Sequence, residues 1–144
     1  MERRPVYLAL GSNLGDRKQN ILEAVRRLDS RFGPHIALSG LFESRADGFV
    51  GPDFINAAVR YDLDLEPLQI LRACKEVEAE MGRPKKGIEL DSQGRRIYHS
   101  RIIDIDVLLV GDETVDLPEL KVPHPLMKER DFVMVPLGEI LGIC

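Results

Sequence analysis

Arg101-Ile102-Ile103-Asp104-Ile105-Asp106-Val107-Leu108-Leu109-Val110 is the stretch on which the rest of the chain turns. Residues 102–110 read as the strongest strand in the sequence, rich in β-branched side chains and stopped by Gly111. Strand alternation puts Asp104 and Asp106 on one face and Ile103, Ile105 and Val107 on the other. Two carboxylates about 7 Å apart along a strand repel each other when dry and unpaired. A divalent cation resolves that conflict. Carboxylate oxygens with no Cys nearby suit magnesium, which is usually held by one or two carboxylates plus substrate phosphates. A solvated strand face carrying two surface acids is the alternative reading.

Working back from this strand, the chain alternates strands and helices. Val6-Tyr7-Leu8-Ala9-Leu10 is a short apolar run of the kind buried on both faces, and Gly11-Ser12-Asn13-Leu14-Gly15 is turn chemistry. Asp16 and Gln19 have capping-box spacing, and Ile21, Leu22, Val25 and Leu28 recur at helical spacing, predicting a helix over about 17–31. Residues 35–45 make an imperfect strand, and residues 54–63 make a better one. Pro67 suits a first helical turn, with Ile70, Cys74, Val77 and Met81 on one face and Gly82 as the stop. After the aspartate strand, Gly111-Asp112 turns toward a short hairpin partner near Thr114-Val115. Pro123-His124-Pro125 opens a helical turn ending near Arg130, and Pro136 is placed to start a last helix. The order β-α-β-β-α-β predicts an α+β fold with a ferredoxin-like core, a mainly antiparallel sheet with packed helices and long active-site loops. Residues 1–144 read as a single domain.

Composition bounds what such a domain does. At 144 residues and 16.2 kDa, the chain can bury roughly 70% of its unfolded surface without a disulfide or structural metal. Hydrophobic residues at 44% and charged residues at 31% argue against disorder. A net charge of −4 and a pI near 5.4 argue against general nucleic-acid binding. No window approaches the ~18 apolar residues of a membrane span, and the N-terminus lacks the apolar stretch of a secretory signal. Cys74 and Cys144 form no metal-type pair and fit a reduced compartment, so the expected location is cytoplasmic.

Residues 83–101 break the acidic pattern: Arg83, Lys85, Lys86, Arg95, Arg96 and Arg101 face only Glu89 and Asp91. Cations beside a carboxylate pair suggest the two halves of a phosphate site, although a solvated basic loop explains them as well. The glycine-rich turn before the first helix lacks a P-loop ending and reads as an ordinary βα turn, with an anion cradle as the alternative. Phe54 and Asn56 share a strand face, where a ring beside an amide can stack on and hydrogen-bond a flat heterocycle; a core Phe and a strand-end Asn is the plainer reading. For His124, and for Arg130 with Phe132, capping or packing is again the cheaper explanation of each alone.

Taken together, these elements resemble the 6-hydroxymethyl-7,8-dihydropterin pyrophosphokinase family. The resemblance runs from residues 10–15 through 53–59, Glu78 with Met81-Gly82-Arg83, and the 101–111 element to 122–125 and Arg130-Asp131-Phe132. It implies transfer of pyrophosphate from ATP to the pterin hydroxymethyl oxygen, with release of AMP, in folate biosynthesis. Carried over, Asp104 and Asp106 bind two Mg2+ ions and join Arg83 and Arg101 as catalytic residues. Glu78, Arg83, Lys85, Tyr98, Arg101, His124 and Arg130 meet ATP, the co-substrate. Phe54 and Phe132 sandwich the pterin, Asn56 reads its edge, and Ser44, Ala46 and Gly48 belong to the pterin loop. Tyr98-His99-Ser100 stand where the family carries Trp-Gly-Pro, and the loop before Arg101 is longer than usual. The expected partners are small molecules, with neither nucleic acid nor membrane, and the chain is expected to act as a monomer. Three rivals remain: a metal-dependent nuclease, which has no use for the Phe54, Asn56 and Phe132 set; a ferredoxin-like module that binds a small regulator without magnesium; and a degenerate version that keeps the fold and binds ATP but has lost turnover through its altered loop.

Overall fold

A computed structural model of the protein describes residues 2–45, 53–82, 102–125 and 127–141. Its central strand is β1, Arg4–Ser12. Val6, Leu8 and Leu10 point into one core and Tyr7 and Ala9 into another, so the apolar run is buried on both faces as its sequence suggests. α1, Arg17–Phe32, follows. Asp16 caps it by accepting the Gln19 N–H at 3.1 Å, and Gly33 ends it at φ 87°. The next stretch is divided into β2, Ala37–Leu38, and β3, Phe42–Ser44, both paired with β4, Phe54–Leu63. α2, Pro67–Glu80, has Pro67 in its first turn, and the Gln69 side chain accepts the Glu66 N–H at 2.8 Å. β5, Asp104–Val110, closes the sheet on the other side of β1.

The strand order is β2-β4-β1-β5, with β3 beside β4, and every pairing is antiparallel. This is the ferredoxin-like arrangement with its second strand split. α1 and α2 cover one face, burying Ile21, Val25, Leu28, Ile70, Cys74 and Val77 against β1, β4 and β5. Fully burying aliphatic side chains of this size stabilises the fold by about 1.5–3 kcal/mol each before chain entropy is counted. The opposite face is covered by α3, Asp131–Leu141, through Val133, Leu137 and Ile140.

Two expectations are corrected here. Pro136 lies inside α3 rather than at its start. It removes the hydrogen bond from position 136 to the Phe132 carbonyl, and the burial of Pro136, Leu137 and Ile140 holds the helix through that gap. The short strand after Gly111, β6 at Val115–Asp116, pairs not with β5 but with β7, Lys121–Val122. One irregularity matters for the site. Leu8 lies opposite Val107 and Tyr7 opposite Leu109, so Leu108 is an extra residue in β5. At this bulge the side chains change phase: Val107 and Val110 enter the helix-covered core, while Leu108 and Leu109 join the α3 side. No described helix is long and apolar enough to cross a membrane.

Candidate active site

The half of the α3-facing sheet surface nearest the β1–α1 turn carries a row of residues in register. Phe42 of β3 lies opposite Asn56 of β4, Asn56 opposite Gly11 of β1, and Gly11 opposite Asp104 of β5. Ala9 lies between Ala58 and Asp106 in the same way. Two strand spacings separate Asn56 from Asp104, about 10 Å. Gly11 keeps the floor between them low. A Cβ there would sit 3.4 Å from both Asn56 Oδ1 and Phe54 Cδ1.

At the β4 end, Asn56 is buried and its Nδ2 donates to the Phe42 carbonyl at 3.1 Å and to Ser44 Oγ at 2.8 Å. The Phe42 oxygen only accepts, which fixes the amide nitrogen toward β3 and turns Oδ1 toward Gly11. Asn56 therefore presents an oriented acceptor. Beside it, a groove of about 330 Å³ runs between β3 and the start of α3, lined by Phe42, Ser44, Arg130, Phe132 and Val135 among others. The Arg130 guanidinium lies 5.6 Å from the centre of the Phe132 ring.

At the β5 end the chemistry is ionic. The Asp106 carboxyl is pushed up from 3.8 to about 7, first by burial, then by Asp104 and Glu78, with Lys75 and Arg130 opposing. Glu78 of α2 is itself buried. Its Oε2 accepts the Ile105 N–H at 2.7 Å, on the edge of β5 away from β1, and Lys75 Nζ lies 3.6 Å from its Oε1. His124 is moored by its N–H to the Leu108 carbonyl at 3.0 Å. Burial and Arg130 lower its imidazole pKa against the pull of Asp104, which favours the neutral ring at pH 7. Among the described residues no group of three or more His, Cys, Asp or Glu is placed so that it could hold a metal ion. Two hard oxygen donors in a field of excess negative charge fit a cation that completes its shell with phosphate and water.

A family profile described as 7,8-dihydro-6-hydroxymethylpterin-pyrophosphokinase matches residues 7–142. The chain belongs to that family. A 2-amino-4-hydroxy-6-hydroxymethyldihydropteridine pyrophosphokinase of Porphyromonas gingivalis is 43% identical over 137 residues, covering 94% of this chain and 89% of that protein. Its namesake in Aquifex aeolicus is 40% identical over 136 residues, covering 94% and 79%. The mitochondrial folate synthesis bifunctional protein of Pisum sativum is 41% identical over 139 residues, covering 95% of this chain and 25% of that protein. Membership makes the chain a pyrophosphokinase, a transferase of folate biosynthesis acting on small molecules.

Within this pyrophosphokinase, the described candidates fall into two groups across one sheet face: Ser44, Phe54, Asn56 and Phe132 toward β3, and Glu78, Asp104, Asp106, His124 and Arg130 toward β5. Ala46, Gly48, Arg83, Lys85, Tyr98 and Arg101 lie outside the described residues. The turn before α1 is closed by its own chain, Asn20 Nδ2 donating to Ser12 Oγ at 3.2 Å and to the Leu14 carbonyl at 2.8 Å. Three contributors escaped the sequence reading. Gly11 had a signal, since alternation places it on the face of Ala9; Phe42 and Lys75 had none, because their roles depend on strand pairing and helix packing.

Proposed function

We propose that the protein transfers the β,γ-pyrophosphoryl group of ATP to the hydroxymethyl oxygen of 6-hydroxymethyl-7,8-dihydropterin in a magnesium-dependent reaction that releases AMP. The new bond joins the pterin oxygen to the β-phosphorus, the bond from that phosphorus to the AMP oxygen breaks, and the hydroxyl proton passes to solvent. Asp104 and Asp106 would hold the cations, two in number by family resemblance. Magnesium bound there supplies charge neutralisation to the phosphates and acidifies the attacking alcohol.

The chain's own residues position the two substrates. The oriented Oδ1 of Asn56 accepts from the donor edge of the pterin, while Phe54 and Phe132 bracket its ring and Ser44 holds the amide in place. Arg130 and His124 stand on the phosphate side, where a guanidinium fork and a neutral imidazole donate to phosphate oxygens. Arg83, Lys85, Tyr98 and Arg101 are assigned to the nucleotide, Ala46 and Gly48 to the pterin, on family resemblance alone. Glu78 stands beside the cation site through Ile105. Catalysis of this kind is chiefly alignment and electrostatics, with no dedicated base.

One observation supports this above the others. A neutral, directional recognition group and a charge-loaded carboxylate pair lie on one sheet face, about 10 Å apart across a glycine floor. Protein, Mg2+, ATP and the reduced hydroxymethylpterin are incubated together and the nucleotide products measured. The expected product is AMP, formed only when pterin and Mg2+ are both present. ADP, or AMP made without the pterin, overturns the reading.

A further inference from the structure

The split between β2 and β3 is built with more care than a broken edge strand requires. Leu38 faces Val59 and Phe42 faces Asn56, so this side of the pair carries an extra residue, a bulge. Ser39 keeps its place by donating its N–H to the Ala58 carbonyl at 2.9 Å. The Ala58 N–H is taken by Ser39 Oγ at 2.8 Å, and that hydroxyl donates onward to the Gly40 carbonyl at 2.8 Å. The Gly40 N–H goes to another element entirely: Glu139 Oε1 of α3 accepts it at 2.8 Å. A carboxylate accepting a backbone N–H is a charge-assisted bond, stronger than a neutral one.

This clasp joins the two elements that wall the groove. On one arm, the chain leads from Gly40 into β3, where Phe42 and Ser44 hold the Asn56 amide. On the other, α3 runs back about 10 Å, two helical turns, from Glu139 to Phe132. The groove opens between these arms, while Val133, Leu137 and Ile140 seat the helix on the sheet. We propose that Glu139 is a positioning residue for pterin binding. By tying the β2–β3 bulge to α3, it sets the orientation of Asn56 and the span from that amide to Phe132, and it touches no substrate. The proposal rests on the reading that Asn56 and Phe132 meet the pterin.

Glu139→Ala, Glu139→Gln and Asn56→Ala are compared with the parent protein for the KM of pterin, the KM of ATP and kcat, and hydrogen exchange is followed at the Gly40 amide. Glu139→Ala is expected to raise the pterin KM about five- to tenfold, the effect of one lost solvent-exposed hydrogen bond, with the ATP KM within about twofold. Glu139→Gln keeps an acceptor oxygen and is expected to recover most of the loss. The Gly40 amide should exchange faster in the Ala variant. An unchanged pterin KM in Glu139→Ala, alongside a raised one in Asn56→Ala, overturns the clasp and leaves the pterin assignment standing. Equal rises in both KM values, or no recovery in Glu139→Gln, overturn the positioning role. If Asn56→Ala also leaves the pterin KM unchanged, the assignment beneath the proposal falls, and the proposal with it.

Discussion

Asn56 and Asp106 lie on the same face of one sheet, yet the fold treats their polar atoms in opposite ways. Asn56 has both amide hydrogens engaged by Phe42 and Ser44, so its free-facing oxygen is oriented before any ligand arrives. Asp106 is set beside Asp104 and Glu78, and Lys75 and Arg130 offset the resulting field only in part. A neutral donor or acceptor can be satisfied by the backbone next to it at little cost. Like charges cannot be, since each added acid raises the cost of ionising the others. The β4 end is therefore complete as folded, while the β5 end keeps a like-charge repulsion that a bound cation would relieve.

The contrast breaks most sharply at the acids. Asp104→Ala or Asp106→Ala should lower turnover by at least ~100-fold, the scale seen when one group that stabilises developing charge is removed. Circular dichroism should be unchanged, and an unfolded variant would make these acids structural instead. Asn56→Ala should act on the other substrate, raising the pterin KM about five- to hundredfold through the loss of one set of hydrogen bonds, with little change for ATP. Equal losses for both substrates would erase the division of the cleft.

A third test uses pH on the metal-free protein. The folded pKa of Asp106 is raised from 3.8 to about 7, so the native state holds a proton that the unfolded state releases. Stability should therefore fall as pH climbs from about 4 to about 7 and level off above. Asp106→Asn should flatten that fall, and Mg2+ should raise Tm more at pH 7 than at pH 5. A Tm profile indifferent to this substitution would place the charge strain elsewhere. The smallest effect is expected at the floor between the two ends. Gly11→Ala puts a methyl 3.4 Å from Asn56 Oδ1 and Phe54 Cδ1 and should raise the pterin KM only about threefold, measured by steady-state kinetics.

Local pattern carried most of the fold. Residues 54–63 are a strand from end to end, and the spacing of Ile21, Val25 and Leu28 and of Ile70, Cys74 and Val77 does mark the buried faces of α1 and α2. Strand alternation also places Asp104 with Asp106 and Phe54 with Asn56, because period two needs no knowledge of the neighbours. What escaped depends on distant partners. Pro136 is tolerated inside α3 because that helix lies on Ala58 and Leu108, which the sequence does not reveal. The same holds for β6, which finds β7 instead of β5, and for Glu139, whose partner Gly40 is far away along the chain. Asn56 could be placed on the face of Phe54; that β3 would hold its amide, and so decide which atom it shows, could not.

The bulge at Leu108 sets the parity of the strand that carries Asp104 and Asp106. If Leu108 stayed and the bulge were ironed into regular alternation counted back from Val110, residues 104–108 would swap sides, and both carboxylates would be aimed into the aliphatic floor beneath α1 and α2. The Leu108 carbonyl is also the mooring for His124. Deleting Leu108 would straighten the ladder and leave the acids on their present side, but it would cast His124 adrift from them. A single surplus position thus keeps the two carboxylates and their imidazole neighbour in step.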